Sequence, residues 1–341
     1  MKSNLSLYDL LTIQIELTTY CNSSCIGCAR NSQGGAVHPW LPLIHIDLGV
    51  WDKIVDAITK YSIPRVYFNG SYGDSIMNPN LIGMLSKINS QSCISLATNG
   101  GVRDRQFWKD LASVLSTTHK GSHVVFAIDG LEDTNHLYRR GVEWDRLIKN
   151  VETFIDAGGN AKWSYIVFEH NVHQVEEAAK RAKNLGFKIF ASMPDFGKGK
   201  RSIHGVEYKD FKPFTVTGVS MDKVQHFRDT VDFKTIIFPD KDDFNSKCPW
   251  QRERKIQIGV DGSVHPCCYY GTELSSFEKK FQVREYNNDP IMDYYNTNGR
   301  DLYSLHHYTL EEILESPPFI NILPNMINNN PSDICKRICK I

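Results

Sequence analysis

Between residue 11 and about residue 192, short runs rich in β-branched and aromatic residues alternate with longer stretches whose apolar residues recur at helical spacing. Such alternation makes each helix cover the strand before it and leaves the strands parallel in one sheet. The strand-like runs are LTIQIEL (11 to 17), RVYFNG (65 to 70), CISLATNG (93 to 100), HVVFAIDG (123 to 130), KWSYIVFEH (162 to 170) and FKIFASM (187 to 193). Five helical patterns fall between them. Asp47 to Tyr61 sets Val50, Ile54, Ala57, Ile58 and Tyr61 on one face, and Asn171 to Leu185 does the same with Val172, Val175, Ala178, Ala179 and Ala182.

Four of these strands end in NGSYGD, TNGG, IDG and EHN. Singly each is an ordinary turn, since Asn-Gly and Asp-Gly tolerate positive φ. Together they would open onto the carboxyl rim, where parallel α/β sheets carry their ligands. Beyond residue 193 the alternation stops, and GKGKRSIHG reads as a solvated linker or loop. From about residue 244 a second unit begins, with KIQIGV and DGSV as a β-hairpin turning at Asp261-Gly262. TLEEILESPPF reads as a short helix capped by Thr309 and Glu312 and stopped by two prolines. The expected domains are therefore 1–193, a linker or extension over 194–243, and 244–341.

With 341 residues, 41% of them hydrophobic, the chain can bury one large core and a smaller one. Thirty-nine basic residues balance thirty-nine acidic ones, so there is no long-range pull toward nucleic acid or anionic membrane. The apolar runs are strand-sized, and MKSNLSLYDLL lacks the apolar run of a signal peptide, so a soluble cytoplasmic protein with no membrane partner is expected.

Nine cysteines group at 21 to 28, 248 to 268 and 335 to 339, with only Cys93 alone. An odd number in short-spaced groups points to metal rather than a disulfide framework. Cys21, Cys25 and Cys28 form CxxxCxxC in the loop after the first strand. Three thiolates on one tight loop can hold three irons of a cubane and leave the fourth open to a cofactor. Structural zinc is the alternative, and it would need His38 or another distant residue as a fourth ligand.

A CxxxCxxC loop after the first strand of six βα units resembles the radical S-adenosylmethionine (SAM) superfamily over residues 11 to 193. The resemblance implies a partial (βα)6 TIM-like barrel, a 4Fe-4S cluster whose unique iron is chelated by SAM, and reductive cleavage to a 5'-deoxyadenosyl radical. It also implies an external one-electron donor such as flavodoxin or ferredoxin. Gly70, Tyr72, Gly73 and Asp74 in FNGSYGDSIMNP stand where the family receives the cofactor's amino group, with Asp and Ser replacing the usual Glu and Pro. Thr98 and Asn99 match the end of strand three, and Asp129 the end of strand four. His136, Arg140 and Gly141 resemble a basic element that pairs with the cofactor carboxylate, with Arg139 an equally reachable neighbour. Asn171 is a candidate for the ribose. Gly27 replaces an aromatic beside the last cysteine, which leaves adenine packing to another residue such as Ile26.

Cys248, thirteen residues, Gly262, four residues and Cys267 resemble the start of the auxiliary-cluster domains called SPASM and twitch. Cys335 and Cys339 would complete four ligands of a second 4Fe-4S cluster, with the shorter twitch form favoured because only Cys268 is left over. The Gly262 spacing favours Cys267 over Cys268; four-cysteine zinc and a three-ligand open cluster are the alternatives. Trp250, Tyr269 and Tyr270 could line a substrate cavity, although core packing is the ordinary role of such residues.

The expected function is radical hydrogen abstraction from a peptide or protein substrate for oxidative modification. The alternatives are a dehydrogenase or rearrangement enzyme for a sugar-like small molecule and a zinc-bound nucleic-acid or scaffold module built on KGKR and CKRICK. Strand one begins near residue 11, which leaves no room for an N-terminal leader-binding domain in this sequence and weighs against a ribosomal-peptide substrate unless a separate partner supplies recognition. No catalytic residue is singled out.

Overall fold

The computed structural model describes residues 10–32, 34–194, 201–202, 215–216, 248, 250, 253–274 and 289–339. Six parallel strands run in chain order: β1 (Thr12–Ile15), β2 (Arg65–Phe68), β3 (Cys93–Thr98), β4 (His123–Ala127), β5 (Ala161–Val167) and β6 (Ile189–Pro194). Each is shorter at its carboxyl end than the apolar run in the sequence, or differs by a residue or two, because the turn residues leave the ladder to form the rim. The GKGKRSIHG stretch lies outside the described residues except for Arg201–Ser202 (β7), which pairs antiparallel with Thr215–Val216 (β8).

The helices form where the apolar spacing places them. Asp47 caps α1 (Leu48–Lys60), its carboxylate accepting from the N–H groups of Gly49 and Val50 at 2.8 and 3.0 Å, and Val50, Trp51, Ile54, Ala57 and Ile58 are buried. Asp104 caps α2 (Arg105–Ser116) in the same way. The pattern over 171–185 begins later than its spacing suggests: a short 3-10 turn precedes α3 (Val175–Leu185), which ends where Gly186 adopts a φ of 89°. Thr309 and Glu312 form the expected reciprocal cap on Leu310–Leu314.

The largest difference concerns the hairpin. Read from sequence as part of a separate unit, β9 (Lys255–Ile258) instead joins the barrel sheet parallel to β1, with Ile13 opposite Ile256 and Ile15 opposite Ile258. Its partner β10 (Val264–His265) then pairs antiparallel with β9, through a loop in which the Gly262 N–H donates to Gly259 O. The sheet order is β10-β9-β1-β2-β3-β4-β5-β6, so β10 and β6 are its edges and the barrel is partial.

The outer core is aromatic. Trp108 of α2 packs on Phe126 at 5.4 Å and Phe154 at 6.3 Å between ring centroids, and Phe187 reaches both Phe126 and Trp163. Trp108 is fully buried. Trp108→Ala should cost about 3–5 kcal/mol through lost burial and the cavity left behind. A clear fall in the urea midpoint of far-UV dichroism is expected, and an unchanged midpoint would contradict this packing.

Candidate active site

The cysteine loop follows β1 directly. Cys28 N–H donates to Cys25 O at 3.2 Å, a tight turn that puts Gly27 at a φ of 82°, where a side chain would be strained. This accounts for the missing aromatic at position 27. Donors converge on the sulfurs: Ser23 N–H and Asn99 Nδ2 approach Cys21 Sγ at 3.4 and 3.6 Å, and Arg139 Nη1 approaches Cys25 Sγ at 3.7 Å. The Ser23 hydroxyl lies 3.0 Å from Cys25 Sγ and 2.8 Å from the Arg140 carbonyl. Burial pushes the free Cys21 thiol up to about 12.

The loop after β2 is pressed against this segment. A Cβ on Gly73 would fall 2.0 Å from Thr18 O, and one on Gly70 would fall 2.0 Å from Gly73 O, so both positions need glycine. The Asp74 N–H donates to Tyr20 O at 2.9 Å. Asp74 is buried, and its carboxylate accepts from the Thr98 hydroxyl at 3.0 Å and from the N–H groups of Asn99 at 2.8 Å and Ile76 at 3.3 Å. Burial raises its pKa against the opposing pull of these donors. Asp74 therefore ties the β2 loop to the end of β3, while Tyr72 packs edge-on to Trp40, which stacks on His38.

At the end of β4, Asp129 is fully buried and pairs with Arg139 Nε at 2.6 Å. Its other oxygen accepts from Ile166 N–H at 2.6 Å. Burial opposes the charge on Arg139, but Asp129 and Cys25 hold its pKa well above the usual value. Of the two neighbouring arginines, Arg139 is thus the one at the rim. Arg140 is buried beside the cysteine loop, with Nη1 donating to Gly34 O at 3.1 Å and its carbonyl accepting from Ser24 N–H. The Asn171 side chain does not face an opening: it accepts from Phe168 N–H and donates to the carbonyls of Asp129 and Ile166. It braces β4 against β5. The sequence missed Tyr138 and Phe168, whose rings pack 4.6 Å apart in one cluster with Cys25 and Ile26.

The second cysteine set also comes together. Cys248, Cys267, Cys335 and Cys339 line one small cavity with Trp250 and Tyr269, whereas Cys268 does not line it. Burial raises the Cys267 and Cys335 thiols. Tyr270 secures the surroundings, its hydroxyl bonding Asp289 at 2.7 Å and Ser332 at 2.9 Å, three residues before Cys335.

Residues 15–182 match the family model described as the radical SAM superfamily, and residues 248–340 match the SPASM model, an iron-sulfur cluster-binding domain. The chain is a radical SAM protein with a SPASM domain. The matched model is thus named for the longer of the two auxiliary forms weighed from sequence. It is 22% identical over 274 residues to the antilisterial bacteriocin subtilosin biosynthesis protein AlbA of Bacillus subtilis (strain 168), covering 76% of this chain and 55% of AlbA. Crystallographic Streptococcus suis SuiB bound to SAM superposes with a TM-score of 0.55 at 16% identity, covering 82% of this chain and 66% of SuiB. The corresponding values for anSMEcpe with bound AdoMet are 0.56, 16%, 91% and 80%. The chain spans about half of AlbA and just under two thirds of SuiB. At these identities the structural likeness is one of fold.

Both cysteine sets fit the cofactors of a radical SAM/SPASM protein, a 4Fe-4S cluster with SAM and an auxiliary iron-sulfur cluster. Donors aimed at Cys21 and Cys25 suit cluster thiolates, whose charge they stabilise. Among the described residues no three His, Cys, Asp or Glu side chains close on a single metal ion. A cubane needs no such convergence, because each thiolate binds a different iron.

The Asp129–Arg139 pair should be sensitive to losing one member, since an uncompensated buried charge costs about 3–5 kcal/mol. Asp129→Asn should lower the urea midpoint accordingly, and Asp129→Asn/Arg139→Met should recover part of the loss. A double variant as unstable as the sum of the singles would mean that the two side chains act independently.

Proposed function

We propose that this radical SAM enzyme abstracts hydrogen from a carbon of a peptide or protein substrate and completes an oxidative modification. The observation that carries the reading is the β1–β9 pairing, which sets the cysteine loop after β1 and the four-cysteine cavity beyond β10 on one sheet. The substrate class draws support from relatives: SuiB has been solved bound to precursor peptide SuiA, and anSMEcpe with the Cp18Cys peptide. AlbA belongs to bacteriocin biosynthesis.

When bound, the first cluster and SAM supply a 5'-deoxyadenosyl radical, and the auxiliary cluster supplies an electron acceptor. Cys21, Cys25 and Cys28 hold the first cluster; Ser23, Asn99 and Arg139 offset the charge on two of their sulfurs. The Gly73 carbonyl is offered to the cofactor ammonium, with Gly70, Asp74 and Thr98 fixing the loop that presents it. Arg139, oriented by Asp129, replaces Arg140 as the cation for the cofactor carboxylate, and Asn171 positions Asp129 rather than touching the ribose. Tyr138 and Phe168 give the aromatic surface absent at Gly27. Cys248, Cys267, Cys335 and Cys339 hold the auxiliary cluster.

An external one-electron donor of the flavodoxin or ferredoxin type and a cytoplasmic setting complete the reading, since an open cluster needs a low-potential reductant. Among the described residues no helix is long and apolar enough to cross a membrane.

Anaerobically reconstituted, dithionite-reduced protein should convert SAM to 5'-deoxyadenosine and methionine, and Cys21→Ala/Cys25→Ala/Cys28→Ala should abolish this. Cleavage persisting in the triple variant would refute the site. Cys248→Ala/Cys335→Ala should remove about half the iron while sparing uncoupled cleavage. Full iron retention would show that these cysteines hold no cluster.

A further inference from the structure

Glu16 follows β1 immediately and is buried, at 2% exposure. Its Oε1 accepts from Gln257 Nε2 of β9 at 2.6 Å. The Ser71 side chain and the Ser71 and Tyr72 backbone lie near enough to this carboxylate to favour its charged form. Its own N–H donates to Ile258 O at 3.0 Å. One carboxylate thus meets groups of the 70–74 loop and of the first strand of the auxiliary-cluster hairpin. The opposite face of the Gln257 amide is closed by Gly271, where a Cβ would fall 2.5 Å from Gln257 Oε1.

We propose that Glu16 is a positioning residue for SAM, clamping the Gly70–Asp74 loop to β9 so that the loop's grip on the cofactor is set from the auxiliary-cluster side. This rests on the reading of that loop as the receiver of the cofactor ammonium.

The clamp favours an ionised carboxylate, because Gln257 Nε2 donates to it and the Ser71 and Tyr72 groups beside it lower its pKa. Burial raises the Glu16 pKa from 4.5 to about 7, against the hydrogen bonds of Ser71, with Asp261 adding repulsion. The other titratable group that feels its charge is Cys268 beyond β10. The sign follows from the raised pKa: the folded state favours the proton. The contribution of Glu16 to folding is fully present below about pH 4.5 and is lost as pH rises through about 7. Cofactor binding runs the other way, strengthening as the clamp ionises.

The test is equilibrium SAM binding by titration calorimetry to anaerobically reconstituted full chain at pH 6 and pH 8, with iron content and circular dichroism as controls. The cofactor's own amino group titrates equally in wild type and variants, so their difference isolates Glu16. Wild type should gain about tenfold more affinity over this range than Glu16→Gln, as expected for a group that ionises within it. Gln257→Leu should also weaken binding at pH 8, and Glu16→Gln/Gln257→Leu should bind no worse than the weaker single variant. Glu16→Gln should melt closer to, or above, wild type at pH 8 than at pH 6. A Glu16→Gln protein with the wild-type pH response, or additive losses in the double variant, would overturn the proposal alone. Undiminished binding in Gly73→Ala would overturn the loop assignment itself, and this proposal with it.

Discussion

The parallel ladder between β1 and β9 is the constraint on which the other arrangements depend. β1 has β2 on one side and β9 on the other, so the segment leaving its carboxyl end is held between the loop after β2 and the β9–β10 hairpin. Backbone hydrogen bonds impose this without regard to side chains, and Ile13 and Ile15, both fully buried, keep the register from slipping. A one-residue shift would turn these isoleucines off the core and carry the cysteine loop with them.

On that frame the site is assembled by polar side chains spent on backbone. Asp74 joins the β2 loop to β3, Asn171 joins β4 to β5, and Ser23 joins the cysteine loop to the Arg140 carbonyl. Each satisfies groups that would be costly to bury unpaired. The geometry of the cysteines follows from these ties as much as from the CxxxCxxC spacing. Residues that resemble cofactor contacts by position take part in these ties. Asp74 and Asn171 hold the loops, and Arg139 faces the sulfurs.

Much of the strand and helix pattern was legible because burial on one face leaves a periodic signature, as in Val50, Ile54, Ala57 and Ile58 of α1. The cysteine groups were legible because short spacing is itself a geometric statement. What escaped was anything depending on which of two neighbours turns inward. Arg139 and Arg140 are adjacent and chemically identical, and only the short segment from Asn135 to Tyr138 and the turn after it decide that Arg139 meets Asp129. Glu16 was passed over because a single charge within the run LTIQIEL carries no periodic signal.

The amino-acid sequence alone determined the alternating α/β class, the first cysteine loop and the resemblance to radical SAM proteins, since these reside in local spacing and periodicity. Tertiary structure alone decided that the C-terminal hairpin extends the barrel sheet, that Cys248, Cys267, Cys335 and Cys339 share one cavity while Cys268 stands apart, and that Glu16 meets Gln257. Those contacts join residues as far apart as Thr12 and Lys255, and no local pattern encodes a distance that only the closing of the sheet brings within bonding range.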